Sequence, residues 1–236
     1  MRVLAIDTST TMAGIAVVNE QGLLAEYMIN DKKTHSQKLA PMLRELLDSL
    51  NMTLADMDVF AAVTGPGSFT GLRIGVTTIK SLAYAAHKPV VGIPSLDALA
   101  SAVTVFEDTL VCPMMDARNN QVYTALYKYH NGLMINTSGY MGVHVSELIR
   151  QIGEKDLNVI FTGDGVTLHK DFLKIELNHH CIFMPDFALQ QMAAPAARMA
   201  LMLALRGETI SCFDLTPFYL RPSQAEREFD KKQVFS

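Results

Sequence analysis

The chain opens with the stretch Arg2-Val3-Leu4-Ala5-Ile6-Asp7-Thr8-Ser9-Thr10, an apolar run that ends in one carboxylate and three hydroxyls. A short apolar run bounded by turn residues is typical of a buried strand. Two more apolar segments follow, Ala13–Val18 and Leu23–Ile29, and the residues between them, 19–22, favour a turn. We therefore predict that the chain begins with three consecutive strands.

The rest of the first half alternates between helical and strand patterns. A helix is predicted where apolar residues fall three and four positions apart, at Leu39, Met42, Leu43, Leu46, Leu47 and Leu50. The segments after it are predicted as a strand, a turn, a helix, a strand and a helix: Val59–Thr64, Gly65–Ser68, Phe69–Ala86, Pro89–Ile93 and Ser95–Val103. The first half thus reads β-β-β-α-β-α-β-α.

The second half repeats this order. Its predicted strands are Leu110–Met115, Val122–Tyr129, Leu133–Tyr140, Val159–Thr162 and Cys181–Met184, and its predicted helices are Ser146–Ile152, a short one near Leu168–Leu173, and Ala193–Arg206. Asp7 and Asp116 each close a first strand, 109 residues apart. We interpret the pattern as a duplication, with chance similarity of short strands as the alternative. Alternating strands and helices predict two α/β domains, residues 1–105 and 106–236.

Composition excludes several classes of protein. Hydrophobic residues make up 49% of the 236 residues and charged residues 19%, which is typical of a globular protein with a large core. A net charge of −4 argues against broad binding to a phosphate backbone. The three cysteines have neither metal-site nor disulfide spacing, and no signal-peptide pattern follows Met1. We expect a cytoplasmic protein that is not inserted in a membrane.

A glycine-rich segment gives the strongest local signal: Gly65-Pro66-Gly67-Ser68-Phe69-Thr70-Gly71-Leu72-Arg73-Ile74-Gly75. One interpretation is an anion site at the start of the following helix, where backbone N–H groups are free. The other, which the residues themselves favour, is a sharp turn and a helix shaped for close packing. The spacing fits neither a Walker loop nor a dinucleotide-binding fingerprint.

This segment resembles the signature of the TsaB (YeaZ) family nearly letter for letter. The resemblance continues through most of the chain, in the right order, at Leu4–Ser9, His35-Ser36, Asp116-Ala117-Arg118, Val122-Tyr123, Gly163-Asp164-Gly165, Tyr219-Leu220-Arg221-Pro222 and Gln224-Ala225-Glu226. It implies the actin/hexokinase/Hsp70-like (ASKHA) fold, in agreement with the repeated pattern. It also implies a role in the synthesis of threonylcarbamoyladenosine in tRNA, as a paralogue of the transferase subunit TsaD.

The resemblance further implies that this chain is not the catalyst. TsaD carries a His-x-x-x-His metal-binding helix, and those two histidine positions fall on Ser95 and Leu99 here. A hydroxyl is a poor ligand for a transition metal and a leucine side chain is none. We therefore expect no metal site, no catalytic residue and no required cofactor, and a scaffold function instead.

The family resemblance also implies the partners. They are TsaD in a heterodimer, the ATPase TsaE, and TsaC acting upstream; the chain alone is expected to form a homodimer, and tRNA contact to be weak or indirect. The expected interface uses the first-domain helices, through Leu39, Leu43, Leu46, Phe69, Leu72, Arg73, Gly75, Val76, Ile79, Leu82 and Ala83. Gly75 and its small neighbours are expected to set the spacing between helices of the two chains.

A weak nucleotide site is a further hypothesis. The ASKHA fold places strand-end carboxylates and turns at phosphates, which here points to Asp7, Thr8, Ser9, Thr10, Asp116, Gly163, Asp164 and Gly165. For residues 7–10, a tight hairpin in which short polar side chains bond their own backbone explains the sequence equally well. The C-terminal segment around Tyr219–Arg221 is either a packed arm or a partner contact.

Two other functions are kept as alternatives. One is an ATP-dependent kinase or a glycoprotease-like hydrolase, although the sequence lacks a His-Glu-x-x-His stretch that would support a metalloprotease. The other is a free-standing homodimer that binds a nucleotide as a sensor.

Overall fold

The computed structural model describes residues 1–30, 35–105, 108–155, 157–189 and 192–221. The strands are β1 (Arg2–Asp7), β2 (Met12–Asn19), β3 (Gly22–Asn30), β4 (Val59–Gly65), β5 (Val90–Pro94), β6 (Thr109–Asp116), β7 (Gln121–Thr124), β8 (Tyr127–His130), β9 (Leu133–Asn136), β10 (Met141–His144), β11 (Asn158–Thr162) and β12 (Cys181–Phe183). The helices are α1 (His35–Ser49), α2 (Phe69–Ala86), α3 (Ser95–Ser101), α4 (Val145–Gly153), α5 (Gly165–Leu177) and α6 (Ala193–Leu205). None of the helices in these ranges is long and apolar enough to cross a membrane.

The strands form two sheets with matching orders. The first sheet runs β3-β2-β1-β4-β5 and the second β10-β7-β6-β11-β12, with the β8–β9 hairpin paired to β6 beside that path. In each sheet the first three strands of this order pair antiparallel with one another. The last two strands run parallel to the central one, β1 or β6. This confirms the predicted α/β class, whereas the duplication of the halves stays a prediction.

The prediction for the second half is wrong between residues 122 and 140. The predicted return strand is broken at the buried residues Ala125 and Leu126, which separate β7 from β8. The predicted third strand stops at Asn136, whose side-chain oxygen accepts hydrogen bonds from the backbone of Ser138 (3.2 Å) and Gly139 (2.8 Å). An asparagine that bonds the backbone two and three residues ahead forms a turn, so the chain reverses before β10.

Each sheet is covered on both faces, but not by the helices of its own half alone. Helices α1 and α2 pack on one face of the first sheet, and α6 packs on the other through Ala193, Ala196, Ala197, Ala200, Leu201 and Ala204. Helices α4 and α5 pack on the second sheet, whose other face receives α3 through Leu96, Leu99 and Ala100. The last helix of each half, α3 or α6, thus packs on the sheet of the other half. The domain boundary near residue 105 stays a prediction.

Candidate functional site

The loop after β1 is closed by its own side chains. Asp7, Thr8 and Ser9 are all buried. The backbone N–H and the hydroxyl of Ser9 both donate to Oδ1 of Asp7, at 2.9 and 2.7 Å. At Thr10, the side-chain hydroxyl accepts a hydrogen bond from the N–H of Met12 at 3.2 Å. These are the local side-chain–backbone bonds of a tight hairpin, so the four residues have a structural role whether or not they also meet a phosphate.

The glycine-rich segment packs directly on this loop. Ser68 donates its N–H to the carbonyl of Ser9 at 2.6 Å, and the hydroxyl of Thr8 donates to the carbonyl of Gly71 at 2.7 Å. A β-carbon at Gly67 or Gly71 would overlap a backbone carbonyl oxygen of the loop. Glycine is therefore needed here because two backbone segments touch, as the close-packing interpretation predicts.

At the end of β6 a second polar group comes together. The N–H of Asp116 donates to Oδ1 of Asp164 at 3.2 Å, and the N–H of Arg118 donates to Oδ1 of Asp116 at 2.8 Å. Gly163 has a φ of 98° and lies against the backbone of Met114, where a side chain would not fit. The structure thus brings Asp116, Gly163 and Asp164 together, and nucleotide binding there stays a prediction.

His169 belongs to the same region and was not predicted. It lies on α5 with an exposed fraction of only 7%. Its Nε2 has no hydrogen-bond partner among the described residues. Burial lowers the pKa of the imidazole, and the charge of Asp116 opposes this effect. The spacing of Val166, His169 and Leu173 along the buried stripe of α5 is the sequence signal that could have located it.

Between the two sheets, Asp97 on α3 accepts hydrogen bonds from two tyrosines. The hydroxyl of Tyr127 lies 2.5 Å from Oδ1, and the hydroxyl of Tyr140 lies 2.9 Å from each carboxylate oxygen. Burial is the main cause that raises the pKa of both phenols, and the nearby carboxylate raises it further. We call these three residues the Asp97 clamp. It joins a helix of the first half to strand β8 and the turn before β10, and the sequence pattern did not indicate it.

Ser95 and Leu99, which the resemblance places at the metal positions of TsaD, flank Asp97, and neither side chain fits a transition metal. Ser95 and Leu99 are both buried, and Leu99 packs in the hydrophobic core between α3 and the second sheet. Within the described part of the chain, no three histidine, cysteine or acidic side chains group as metal ligands would. The absence of a metal centre remains a prediction.

Residues 209–221, which we call the arm, first follow α2. The ammonium group of Lys80 donates to the carbonyls of Phe213 (3.2 Å) and Leu215 (3.0 Å). Near the other end of the helix, the ring of Tyr219 stacks on Phe69 at 4.2 Å between centroids, and Nε of Arg73 donates to the hydroxyl of Tyr219 at 3.1 Å. The arm therefore widens the surface that α2 presents.

The arm then crosses from the first sheet to the second. The N–H of Phe218 donates to the carbonyl of Thr64 on β4 at 2.7 Å. The ring of Phe218 lies 5.4 Å from that of Tyr140 in the second half. Arg221 bonds the side chain of Gln121 and the carbonyl of Gly142. This part of the C-terminal segment is a packed arm, as one of the two interpretations holds; residues 222–226 lie outside the described residues.

The predicted partner interface needs correction, because most of its residues face inward. The buried members are Leu39, Leu43, Leu46, Leu72, Gly75, Val76, Ile79 and Ala83; Phe69 and Leu82 are half-buried, and Arg73 is exposed. A β-carbon at Gly75 would overlap the hydroxyl of Thr8, so this glycine permits close packing within the chain, and its role between chains stays a prediction. The outward face of α2, which we call the α2 face, consists instead of Thr70, Arg73, Thr77, Ser81 and Tyr84.

Comparison with known proteins gives consistent matches over the whole chain. The family model described as "TsaD: tRNA N6-adenosine threonylcarbamoyltransferase" matches residues 22–228. The tRNA threonylcarbamoyladenosine biosynthesis protein TsaB of Bacillus subtilis is 36% identical, covering 99% of this chain and 100% of that protein. The protein of the same name from Escherichia coli is 26% identical with the same coverage.

Solved structures agree with these matches. A Pseudomonas aeruginosa protein described as similar to the peptidase YEAZ superposes with a TM-score of 0.80 at 26% identity, covering 93% of this chain and 99% of that one. The activator of 2-hydroxyisocaproyl-CoA dehydratase from Clostridium difficile superposes with a TM-score of 0.53 at 14% identity, covering 88% and 97%. The second likeness concerns the fold alone, and together they identify the architecture as ASKHA-like.

Proposed function

Because the chain belongs to the TsaB (YeaZ) family, we propose that it acts in the synthesis of threonylcarbamoyladenosine in tRNA as a non-catalytic scaffold subunit. The observation that carries the proposal is the full-length match to relatives named for this biosynthesis, combined with Ser95 and Leu99 at the metal positions of the TsaD paralogue. A chain without those ligands can support the transfer reaction by holding the subunit that has them. We propose a cytoplasmic location, because the tRNA substrate of this modification is found there.

The proposed binding surface for TsaD is the α2 face. Its residues Thr70, Thr77 and Ser81 are small and exposed along one side of an 18-residue helix, so a partner helix can approach closely. The exposed rings of Tyr84 and Phe213, 5.7 Å apart, lie near the C-terminal end of this face. Aromatic groups beside a small-residue strip supply contact area at low entropic cost.

The same face is proposed to form the homodimer when TsaD is absent, so the two assemblies compete. TsaE is proposed to join the heterodimer, and TsaC to supply the activated threonylcarbamoyl group. With a net charge of −4, the chain itself offers little attraction for tRNA, and the partner is proposed to provide most of that contact.

A direct test measures binding between this chain and the TsaD paralogue of its own host. Thr77→Arg places a long charged side chain at the centre of the α2 face, and Thr167→Arg makes the same change at an exposed position on α5. We expect Thr77→Arg to weaken the complex at least about tenfold, a loss of about 1.4 kcal/mol, and Thr167→Arg to leave it unchanged. Circular dichroism confirms that both variants fold.

Reconstitution of the modification tests the function itself. With purified TsaC, TsaD, TsaE, ATP, threonine, bicarbonate and tRNA, omission of this chain is expected to abolish product formation. Product formed at full rate without the chain would refute the scaffold role. ATP turnover or phosphoryl transfer by the chain alone would favour the kinase alternative.

A further inference from the structure

A groove lies between α6, the β8–β9 hairpin and the β2–β3 turn. Its volume is about 680 Å³, which is in the range of small-molecule sites. Apolar side chains form much of its walls, among them Leu133 and Met134 from β9 and Met202 and Leu203 from α6. Leu133 and Met202 also have exposed fractions of 42% and 38%, so the walls present apolar surface to water.

Two arginines give this groove a positive charge. Arg198 and Arg206 both line it and are exposed, and neither forms an ion pair with any residue that the structure describes. Arg198 lies on α6 and Arg206 caps its C-terminal end, eight residues later, about 12 Å along the helix axis. The carboxylate at the groove wall, Asp97, accepts hydrogen bonds from Tyr127 and Tyr140 and forms no ion pair with either arginine. The groove therefore combines apolar walls with two cationic groups available to an anion.

We propose that this groove binds a small amphipathic carboxylate, a molecule with an extended apolar chain and one anionic head. Burying the chain against the apolar walls is favourable by about 25 cal/mol for each Å² removed from water. The head group forms a charge-assisted hydrogen bond with one guanidinium, and the second guanidinium adds to the positive potential of the groove. A neutral apolar molecule would leave both arginines unused, and a cation would be repelled by them.

Isothermal titration calorimetry with dodecanoate, below its micelle concentration, tests the proposal on the chain alone. We expect one saturable site and much weaker binding of dodecyltrimethylammonium, which has the same chain with a positive head. Replacement of both arginines in R198Q/R206Q is expected to weaken dodecanoate binding at least tenfold and to remove the preference for the anion. Arg44→Gln, on the exposed side of α1, is the matched control and should bind like the unchanged protein.

A second variant tests the place of binding without altering charge. Ser101→Trp puts a large ring at an exposed position of the groove lining and is expected to block dodecanoate while the melting temperature is kept. Equal binding of the anion and the cation, non-saturable binding, or unchanged affinity in R198Q/R206Q would overturn the proposal. Binding of an acidic, apolar peptide in place of dodecanoate would also overturn it. Because no partner protein is present, failure here is distinct from failure of the scaffold role.

Discussion

Replacing Tyr140 with phenylalanine removes one hydroxyl from the Asp97 clamp and nothing else. In the structure that hydroxyl lies 2.9 Å from each oxygen of the carboxylate. A hydrogen bond to a charged group contributes about 1.5–3 kcal/mol to folding. We expect Tyr140→Phe to lower the free energy of unfolding by about 2 kcal/mol. For a chain of this size, that corresponds to a fall in melting temperature of roughly 4–8 °C.

Tyr127→Phe should lower the free energy of unfolding by a similar amount, since the Tyr127 hydroxyl bonds the same carboxylate at 2.5 Å and the residue is only 1% exposed. The double variant should cost less than the sum, because Asp97 lines the groove and water from there can solvate its carboxylate once both phenols are gone. A double-mutant cycle measured by urea denaturation at pH 7 gives this coupling.

The matched control is Tyr129→Phe, which lies two residues after Tyr127 on β8 but is 44% exposed. It should leave the melting temperature within about 2 °C, because surface substitutions usually change stability by less than about 0.5 kcal/mol. Equal melting temperatures for Tyr140→Phe and Tyr129→Phe would show that the clamp does not stabilise the fold. Strictly additive effects of the two clamp substitutions would show that the tyrosines do not share the carboxylate as the structure implies.

The clamp also predicts how stability depends on alkaline pH. Burial raises the pKa of Tyr127 and Tyr140 in the folded chain above the ordinary value of 10.0. Above about pH 10 the unfolded chain therefore releases these protons while the folded chain keeps them, so stability falls as pH rises. Two such groups add at most about 2.7 kcal/mol per pH unit to the slope. Between pH 9 and 11, the free energy of unfolding should fall less steeply with pH in the double phenylalanine variant than in the unchanged protein. Identical pH dependences would contradict the prediction.

Three other predictions concern separate parts of the chain. Gly71→Ala should destabilise the chain by at least about 3 kcal/mol, because its β-carbon would overlap a carbonyl of the β1–β2 loop. A β-carbon at Gly153 meets no atom within 4 Å, so Gly153→Ala should be tolerated. Equal urea midpoints for the two variants would refute this. Arg221→Ala should loosen the arm, so chymotrypsin should cleave after its aromatic residues faster than in the unchanged protein. An unaltered rate would show that the arm does not depend on this contact. Burial lowers the pKa of the His169 imidazole in the folded chain, so on acidification protons bind the unfolded chain first and stability is lost below about pH 6.5. His169→Leu should therefore reduce this loss of stability. His130→Leu, at an exposed position, should leave it unchanged.

Much of the local structure could be predicted from the residues alone. The apolar run before Asp7 and the stripe from Leu39 to Leu47 became β1 and the buried side of α1, because period and burial are set within a few residues. The undecamer that begins at Gly65 supports the family assignment, and the contacts of Gly67 and Gly71 agree with the close-packing interpretation. Sequence patterns were weaker in residues 122–140, where side-chain bonds made by Asn136 ended a segment with an otherwise suitable strand pattern.

The residues alone indicated the fold class and the family, and they showed Ser95 and Leu99 where the resemblance implies metal-ligating histidines in TsaD. Three features became visible only in the folded chain: α3 and α6 cover the sheet of the opposite half, Gly75 faces Thr8, and Asp97 meets two tyrosines. Periodicity along the chain indicates which side of an element is buried. It does not report which distant segment buries it, because that depends on contacts between residues far apart in the chain.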